Sequence, residues 1–142
     1  MKQFDNETRI MGIDYGEKRI GIALSDPLLT FAYAFITLQN DSNFLNSLSR
    51  IIGEKKVNKI VLGLPSERFN FSKELSQKVL KLKSEIEMKN KIEVVLWDEE
   101  YSSAIAKEKM IESVTKKSKR KQKDWLDRHS AAVILQEYLD TN

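Results

Sequence analysis

Residues 9–27, RIMGIDYGEKRIGIALSDP, decide how this 142-residue chain begins to fold. Three short apolar runs bounded by turn residues predict strands: Arg9 to Asp14, Ile20 to Ser25 and Phe31 to Thr37. Gly16 lies in the first connection, where a glycine is free to take a positive φ. Pro27 ends the second run because proline cannot donate to a sheet ladder. Such short connections favour antiparallel pairing, so we predict a three-stranded meander.

Beyond the third run, helical and strand patterns alternate. Apolar residues at helical spacing predict a helix that begins near Asp41 or Ser42 and has its C-cap region around Gly53. Two further strands are predicted at Lys59 to Leu64 and Ile92 to Trp97. Three helices are predicted at about Ser72 to Lys89, about Ser102 to Ser113 and about Asp124 to Leu139. We therefore predict a single α/β domain, residues 1–142, with a mixed five-stranded sheet: the meander plus two crossover strands, with helices on both faces.

Composition excludes several classes of protein. The chain has no Cys and one His, so disulfide scaffolds, thiolate or multi-histidine zinc sites and cysteine nucleophiles are excluded. No apolar run approaches the ~20 residues of a membrane span, and the first ten residues lack the apolar core of a secretion signal. We expect a cytoplasmic protein with no membrane partner, either a monomer or a weak homodimer.

Positive charge is concentrated in residues 116–123, KKSKRKQK, which we call the basic segment. The chain has a net charge of +3, and removing the six cations of this segment leaves −3. Clustered cations are typical of nucleic-acid-binding proteins, although solvated loops also carry them. We predict that the cations of the segment bind phosphates: Lys116, Lys117, Lys119, Arg120, Lys121 and Lys123. Lys18 and Arg19, just after Asp14, are further candidates for a phosphate contact, or else solvated hairpin cations.

Acidic residues stand where predicted strands end. Asp14 ends the first strand, and Asp98 to Glu100 follow the fifth. Asp127 falls in the first turn of the predicted last helix and shares the apolar face of that helix with Ala131 and Ile134, which aims it at the sheet. Converging carboxylates repel each other unless a cation is present, and hard oxygen ligands select Mg²⁺ or Mn²⁺. The structural alternatives are a turn residue at Asp14 and helix caps at the other two sites.

Four motifs together resemble the YqgF/RuvX family: MGIDYGEKRIGIALSD at 11–26, VLGLP at 61–65, WDEEYSS at 97–103 and DRHSAAVILQEYL at 127–139. The resemblance implies an RNase H-like fold and a nuclease that either resolves Holliday junctions or matures the 5′ end of pre-16S ribosomal RNA. It also implies that Asp14, Glu99 and Asp127 are the catalytic residues and the metal ligands. The chain departs from the family pattern at Glu100, where an Arg is usual, and at residues 66–71, where a polar, glycine-containing loop is usual.

We interpret the chain as a Mg²⁺- or Mn²⁺-dependent endonuclease acting on structured nucleic acid, with maturation of pre-16S ribosomal RNA as the first hypothesis. The alternatives are a Holliday junction resolvase in DNA recombination and repair, and a non-catalytic nucleic-acid-binding module with a vestigial site. ATP-binding proteins of the actin and sugar-kinase group also end their first strand in Asp-x-Gly, but they need two lobes and this chain supplies one. His129 lies about 200° around the helix from Asp127, which predicts a surface or packing residue rather than a general base.

Overall fold

The computed structural model describes residues 7–64, 73–98 and 119–141, with side chains from residue 123 onwards in the last segment. The elements of these ranges are β1 (Arg9–Asp14), β2 (Arg19–Ser25), β3 (Ala32–Gln39), α1 (Phe44–Glu54), β4 (Val57–Leu64), α2 (Lys73–Asn90), β5 (Glu93–Asp98) and α3 (Lys119–Asp140). Several predictions fall outside the described residues: the helix from about Ser102 to Ser113, Glu99, Glu100, residues 66–71, Lys116 and Lys117.

The five strands form one sheet in the order β3-β2-β1-β4-β5. β1, β2 and β3 pair antiparallel, whereas β4 pairs parallel with β1 and β5 pairs parallel with β4. The predicted meander with two crossover strands is therefore confirmed. Because β1, β4 and β5 run in the same direction, their carboxyl ends lie at one edge of the sheet, which we call the carboxyl edge.

Helices cover both faces of the sheet, as predicted. Alternate residues of β1 belong to different hydrophobic clusters because successive side chains of a strand point to opposite faces. Met11 and Ile13 pack in a cluster with residues of α1 and α2, whereas Ile10 packs in a cluster with residues of α3. We call this second side of the sheet the α3 face.

Two local predictions need correction. Gly16 does not have a positive φ, since no described glycine has one; it is required because a Cβ there would collide with the carbonyl oxygen of Arg19. The N-cap of α1 is Asn43, whose N–H donates to Asp41 Oδ1 at 2.9 Å, and the C-cap is Lys55, two residues after Gly53. The reversal of the chain after α1 uses Lys56, at φ 54°, rather than glycine.

Helix α3 begins at Lys119, five residues before the predicted start at Asp124. Lys, Arg and Gln, which make up residues 119–123, are good helix formers, and the sequence contains no Gly or Pro after Pro65. Asp127 therefore lies in the third turn of α3 and not in the first, so its predicted position was wrong. The alternative that Asp127 caps the helix is excluded by the same observation.

None of the described helices is long and apolar enough to cross a membrane.

Candidate active site

Asp14 is the last residue of β1 and is buried, with 5% of its surface exposed. It belongs to the α3 face because it follows Gly12 by two positions. Gly12 lies directly under α3: a Cβ on it would come within 2.8 Å of the Ala131 carbonyl oxygen. The buried carboxylate of Asp14 therefore lies at the carboxyl edge of the sheet, on the face covered by α3.

Asp127 reaches the same place from α3. In the sheet, Asp14 is paired with Gly21 of β2. The backbone of α3 touches β2 at this position, since a Cβ on Gly21 would collide with the carbonyl oxygen of Asp127. The side chain of Asp127 is 23% exposed. The prediction that Asp127 lies toward the sheet is confirmed, and the strand pairing brings its backbone next to Asp14.

Arg19 ties β2 to α3 through two carboxylates. Its Nε donates to Asp127 Oδ2 at 2.9 Å and lies 3.3 Å from Asp124 Oδ1. Asp124 and Asp127 are three residues apart and so are neighbours on the helix surface. Arg19 was a candidate for a phosphate contact, but in this structure its guanidinium is engaged by carboxylates. Sequence reasoning missed Asp124, for which the spacing of three from Asp127 was the available signal.

The end of β5 lies at the same carboxyl edge. Val95 and Trp97 pack on the α3 face, whereas Val94 packs on the opposite face. Asp98, the last residue of β5, is therefore on the face turned away from α3, and it is exposed. Within residues 7–64, 73–98 and 119–141, no group of three or more Asp, Glu or His side chains could hold a metal ion. The described residues thus bring together two of the three predicted acids, and Glu99 lies outside them.

Comparison with known proteins places the chain in a family. A family model described as RuvX, Holliday junction resolvase, matches residues 8–141. This chain belongs to the RuvX family. A protein of Desulforamulus reducens named "Putative pre-16S rRNA nuclease" is 36% identical over 135 residues, which cover 94% of this chain and 97% of the relative. A protein of Ehrlichia chaffeensis with the same name is 39% identical over 142 residues, covering 99% of this chain and 90% of the relative.

Solved structures share the fold of this RuvX chain. Thermus thermophilus RuvC in complex with a Holliday junction substrate aligns with a TM-score of 0.59 at 14% identity and covers 94% of both chains. The fowlpox virus Holliday junction resolvase aligns with a TM-score of 0.54 at 15% identity, over 94% of this chain and 99% of the resolvase. The predicted RNase H-like fold is therefore confirmed.

A polar groove of about 700 Å³ opens beside Arg19 and Asp124, next to the candidate site. Its lining comes from the turn after β1, the start of β2, the end of β3 and helix α3: Glu17, Lys18, Arg19, Gln39, Asn40 and Asp124. The Asn40 side chain donates to the Gly16 carbonyl at 2.9 Å, which fixes the end of β3 against the turn. Glu17 pairs with Lys78 at 2.7 Å, and this ammonium holds the pKa of the Glu17 carboxyl below its usual range. Lys18 remains as an exposed cation on the wall of the groove.

The basic segment leads directly into the site. Its last five residues, 119–123, are the start of α3. Lys123 is exposed and precedes Asp127 by four residues, so the two lie on one side of the helix, one turn apart. This arrangement places Lys123, one of the predicted phosphate-binding cations, one helical turn from Asp127, a predicted metal ligand.

His129 packs against its own helix. Its ring stacks on Trp125 with centroids 3.8 Å apart, and Nδ1 lies 2.8 Å from the Trp125 carbonyl oxygen. Both side chains are half-buried. The prediction of a packing role for His129 is confirmed.

Proposed function

We propose that this RuvX protein is a divalent-metal-dependent endonuclease that hydrolyses phosphodiester bonds in structured nucleic acid. The observation that carries the proposal is the approach of α3 to β2 at Gly21, which brings the backbone of Asp127 next to the buried Asp14. A buried carboxylate next to a second acidic residue is costly to maintain for structural reasons alone, because like charges at short range repel each other. Such a pair at the edge of a sheet is therefore better explained by the chemistry it serves.

The chemistry of the donors fits a hard cation. Both described acids offer carboxylate oxygens, which are the ligands that Mg²⁺ and Mn²⁺ prefer. Asp127 already attracts a positive charge, that of Arg19. We assign Asp14, Asp127 and Glu99 as the residues that would hold the metal. Glu99, which lies outside the described residues, is included because the resemblance of residues 97–103 to the family motif implies it.

The chain's own residues would bind and orient the substrate around this centre. A divalent cation, when bound, supplies the positive charge that stabilises the developing negative charge on phosphate oxygens. Asp14 is held rigidly because it ends a central strand, and Asp127 is held by the contact of α3 with Gly21. Lys18 in the groove and Lys123 on α3 would bind phosphates on either side of the acids. Cations on phosphates fix register without reading bases, so these contacts would confer no sequence specificity.

The 5′ end of pre-16S ribosomal RNA is the proposed substrate. The relatives that are 36% and 39% identical are named for pre-16S rRNA. The RuvC bound to a Holliday junction substrate and the fowlpox virus resolvase are only 14% and 15% identical in sequence to this chain. A Holliday junction is the second candidate, because the description of the family model names it. With either substrate, we propose a cytoplasmic location.

Cleavage of the two substrates side by side tests the proposal. Purified protein is incubated with a pre-16S ribosomal RNA fragment and with a four-way DNA junction, each in Mg²⁺, in Mn²⁺ and in a chelator. We expect the RNA to be cut in either metal and to remain intact in the chelator. Faster cleavage of the junction would assign the protein as a resolvase. Binding of both nucleic acids without cleavage in either metal would assign it as a non-catalytic module.

A further inference from the structure

We propose that Arg19 is an exchangeable counter-ion that positions Asp127: it neutralises Asp127 when no metal is bound and transfers fully to Asp124 when a divalent cation binds. This inference rests on the metal site of the proposed function. It goes beyond that site because it assigns roles to two residues, Arg19 and Asp124, that are not metal ligands.

The geometry of the ion pairs carries the inference. Arg19 Nε lies 2.9 Å from an oxygen of Asp127 and 3.3 Å from an oxygen of Asp124, so the guanidinium sits between two acceptors. A small movement changes which carboxylate is the nearer. The side chain of Arg19 is only 25% exposed, so its charge is less screened by solvent and salt than that of a surface cation. Its position therefore matters for the electrostatics of the acids.

Asp14 and Asp127 together are stabilised by a positive charge nearby when no metal is bound. Asp14 is almost fully buried, and the backbone of α3 at Asp127 packs against Gly21, the sheet partner of Asp14. Negative charges brought together in this way repel each other in the metal-free protein. Arg19 supplies a positive charge in that state. The same charge would oppose the binding of a metal at Asp14 and Asp127 unless it could move away.

Asp124 is a second carboxylate partner for the Arg19 guanidinium. It lies on the same helix one turn before Asp127, and its carboxylate is 45% exposed, on the groove side of the site. The Thr37 hydroxyl donates to the Asp124 carbonyl oxygen, which anchors this turn of α3 to β3. The second acceptor thus stays in place while the guanidinium moves.

Titration of the full-length chain with Mn²⁺ by calorimetry, in four variants, tests the exchange. Arg19→Gln removes the competing charge and should bind Mn²⁺ about tenfold more tightly than the wild type, with a lower melting temperature in chelator. Asp124→Asn traps Arg19 on Asp127 and should bind more weakly. Arg19→Lys keeps the charge and should bind within a few-fold of the wild type. Arg128→Gln is the control for loss of one cation from α3; the Arg128 guanidinium contacts the Thr37 hydroxyl at 3.5 Å. This variant should change Mn²⁺ binding far less than Arg19→Gln.

A double variant separates exchange from a general effect of charge. If Asp124 acts through Arg19, adding Asp124→Asn to Arg19→Gln should not weaken Mn²⁺ binding further. An equal loss of affinity in both backgrounds would overturn the inference. Unchanged or weaker binding by Arg19→Gln would also overturn it, because Arg19 would then be a fixed structural clamp.

Asp14→Asn distinguishes failure of this inference from failure of the proposed metal site. If Asp14→Asn abolishes Mn²⁺ binding but Arg19→Gln gains no affinity, only the exchange is wrong. If no variant shows binding that depends on Asp14, the metal site is wrong and the exchange is wrong with it.

Discussion

Gly21 sets the distance between the sheet and the helix that carries Asp127. A Cβ at this position would occupy the space of the Asp127 carbonyl oxygen, so Gly21→Ala must push α3 away from β2. Overpacking of this kind costs about 1–3 kcal/mol of unfolding free energy. We also expect a slower cleavage rate, because Asp127 moves away from Asp14. Urea denaturation and cleavage assays measure the two effects.

Gly53→Ala is the matched control for this substitution. Gly53 lies inside α1, and a Cβ there would meet nothing within 4 Å. Alanine in a helix interior should therefore stabilise the protein by about 0.5–1 kcal/mol and leave cleavage unchanged. A Gly21→Ala protein with wild-type stability and wild-type activity would show that the close contact of α3 with β2 is not required.

Of the three successive acidic residues 98–100, we expect only Glu99 to be a metal ligand. Asp98 lies on the face turned away from α3, and adjacent residues of an extended chain point to opposite sides. At saturating Mg²⁺ we expect Glu99→Gln to lose most of the cleavage activity and Asp98→Asn and Glu100→Gln to keep it. Initial rates on the same substrate provide the comparison. A greater loss from either neighbour than from Glu99→Gln would reassign the third ligand.

Helix α3 carries both the end of the basic segment and the predicted metal ligand Asp127. Its first five residues belong to the basic segment, and its later turns carry Asp127 and the apolar residues of the core. Replacing Lys119, Arg120 and Lys121 by Ala should flatten the slope of log affinity against log salt by about two to three units on duplex DNA, since each phosphate contact contributes about 0.9. The helix should persist, because alanine has the highest helix propensity.

The control for the basic segment removes equal charge from the other side of the sheet. Lys73, Lys81 and Lys89 are exposed on α2, which packs on the face opposite to α3. Their replacement by Ala should leave the salt slope nearly unchanged. Equal slopes for the wild type and the basic-segment variant, measured by fluorescence anisotropy across a salt series, would show that the segment does not contact phosphates.

Strands were easier to predict from this sequence than helix ends. The strands are apolar runs bounded by turn residues, and β1 begins and ends where the pattern predicts. The start of α3 was missed because its first turn contains no apolar residue, so hydrophobic periodicity could not detect it. The positions of Asp14 and Asp127 followed from strand ends and helix faces. The contact of Arg19 with Asp127 spans 108 residues of sequence, and no local pattern encodes such a pair.

In the whole molecule, the carboxyl edge of the sheet is where the proposed chemistry is assembled. β1 supplies Asp14, β2 supplies Arg19 and Gly21, and α3 supplies Asp127, so the first two strands meet a helix from the other end of the sequence there. The two hydrophobic clusters on either side of the sheet hold these elements in fixed relation. The number of subunits stays a prediction, a monomer or a weak homodimer, that sedimentation of the purified protein would measure.

The cleavage rate of Asp14→Asn on pre-16S ribosomal RNA in Mg²⁺, paired with the melting temperature in chelator, tests whether the carboxyl edge of the sheet is the active site. We predict a rate more than about a hundredfold below the wild type, since changing even the groups that support a metal ligand costs 10–100-fold. The melting temperature should be equal to or higher than that of the wild type, because the substitution removes a buried negative charge from beside Asp127. Cleavage by Asp14→Asn at the wild-type rate would contradict the assignment of this carboxyl edge as the active site.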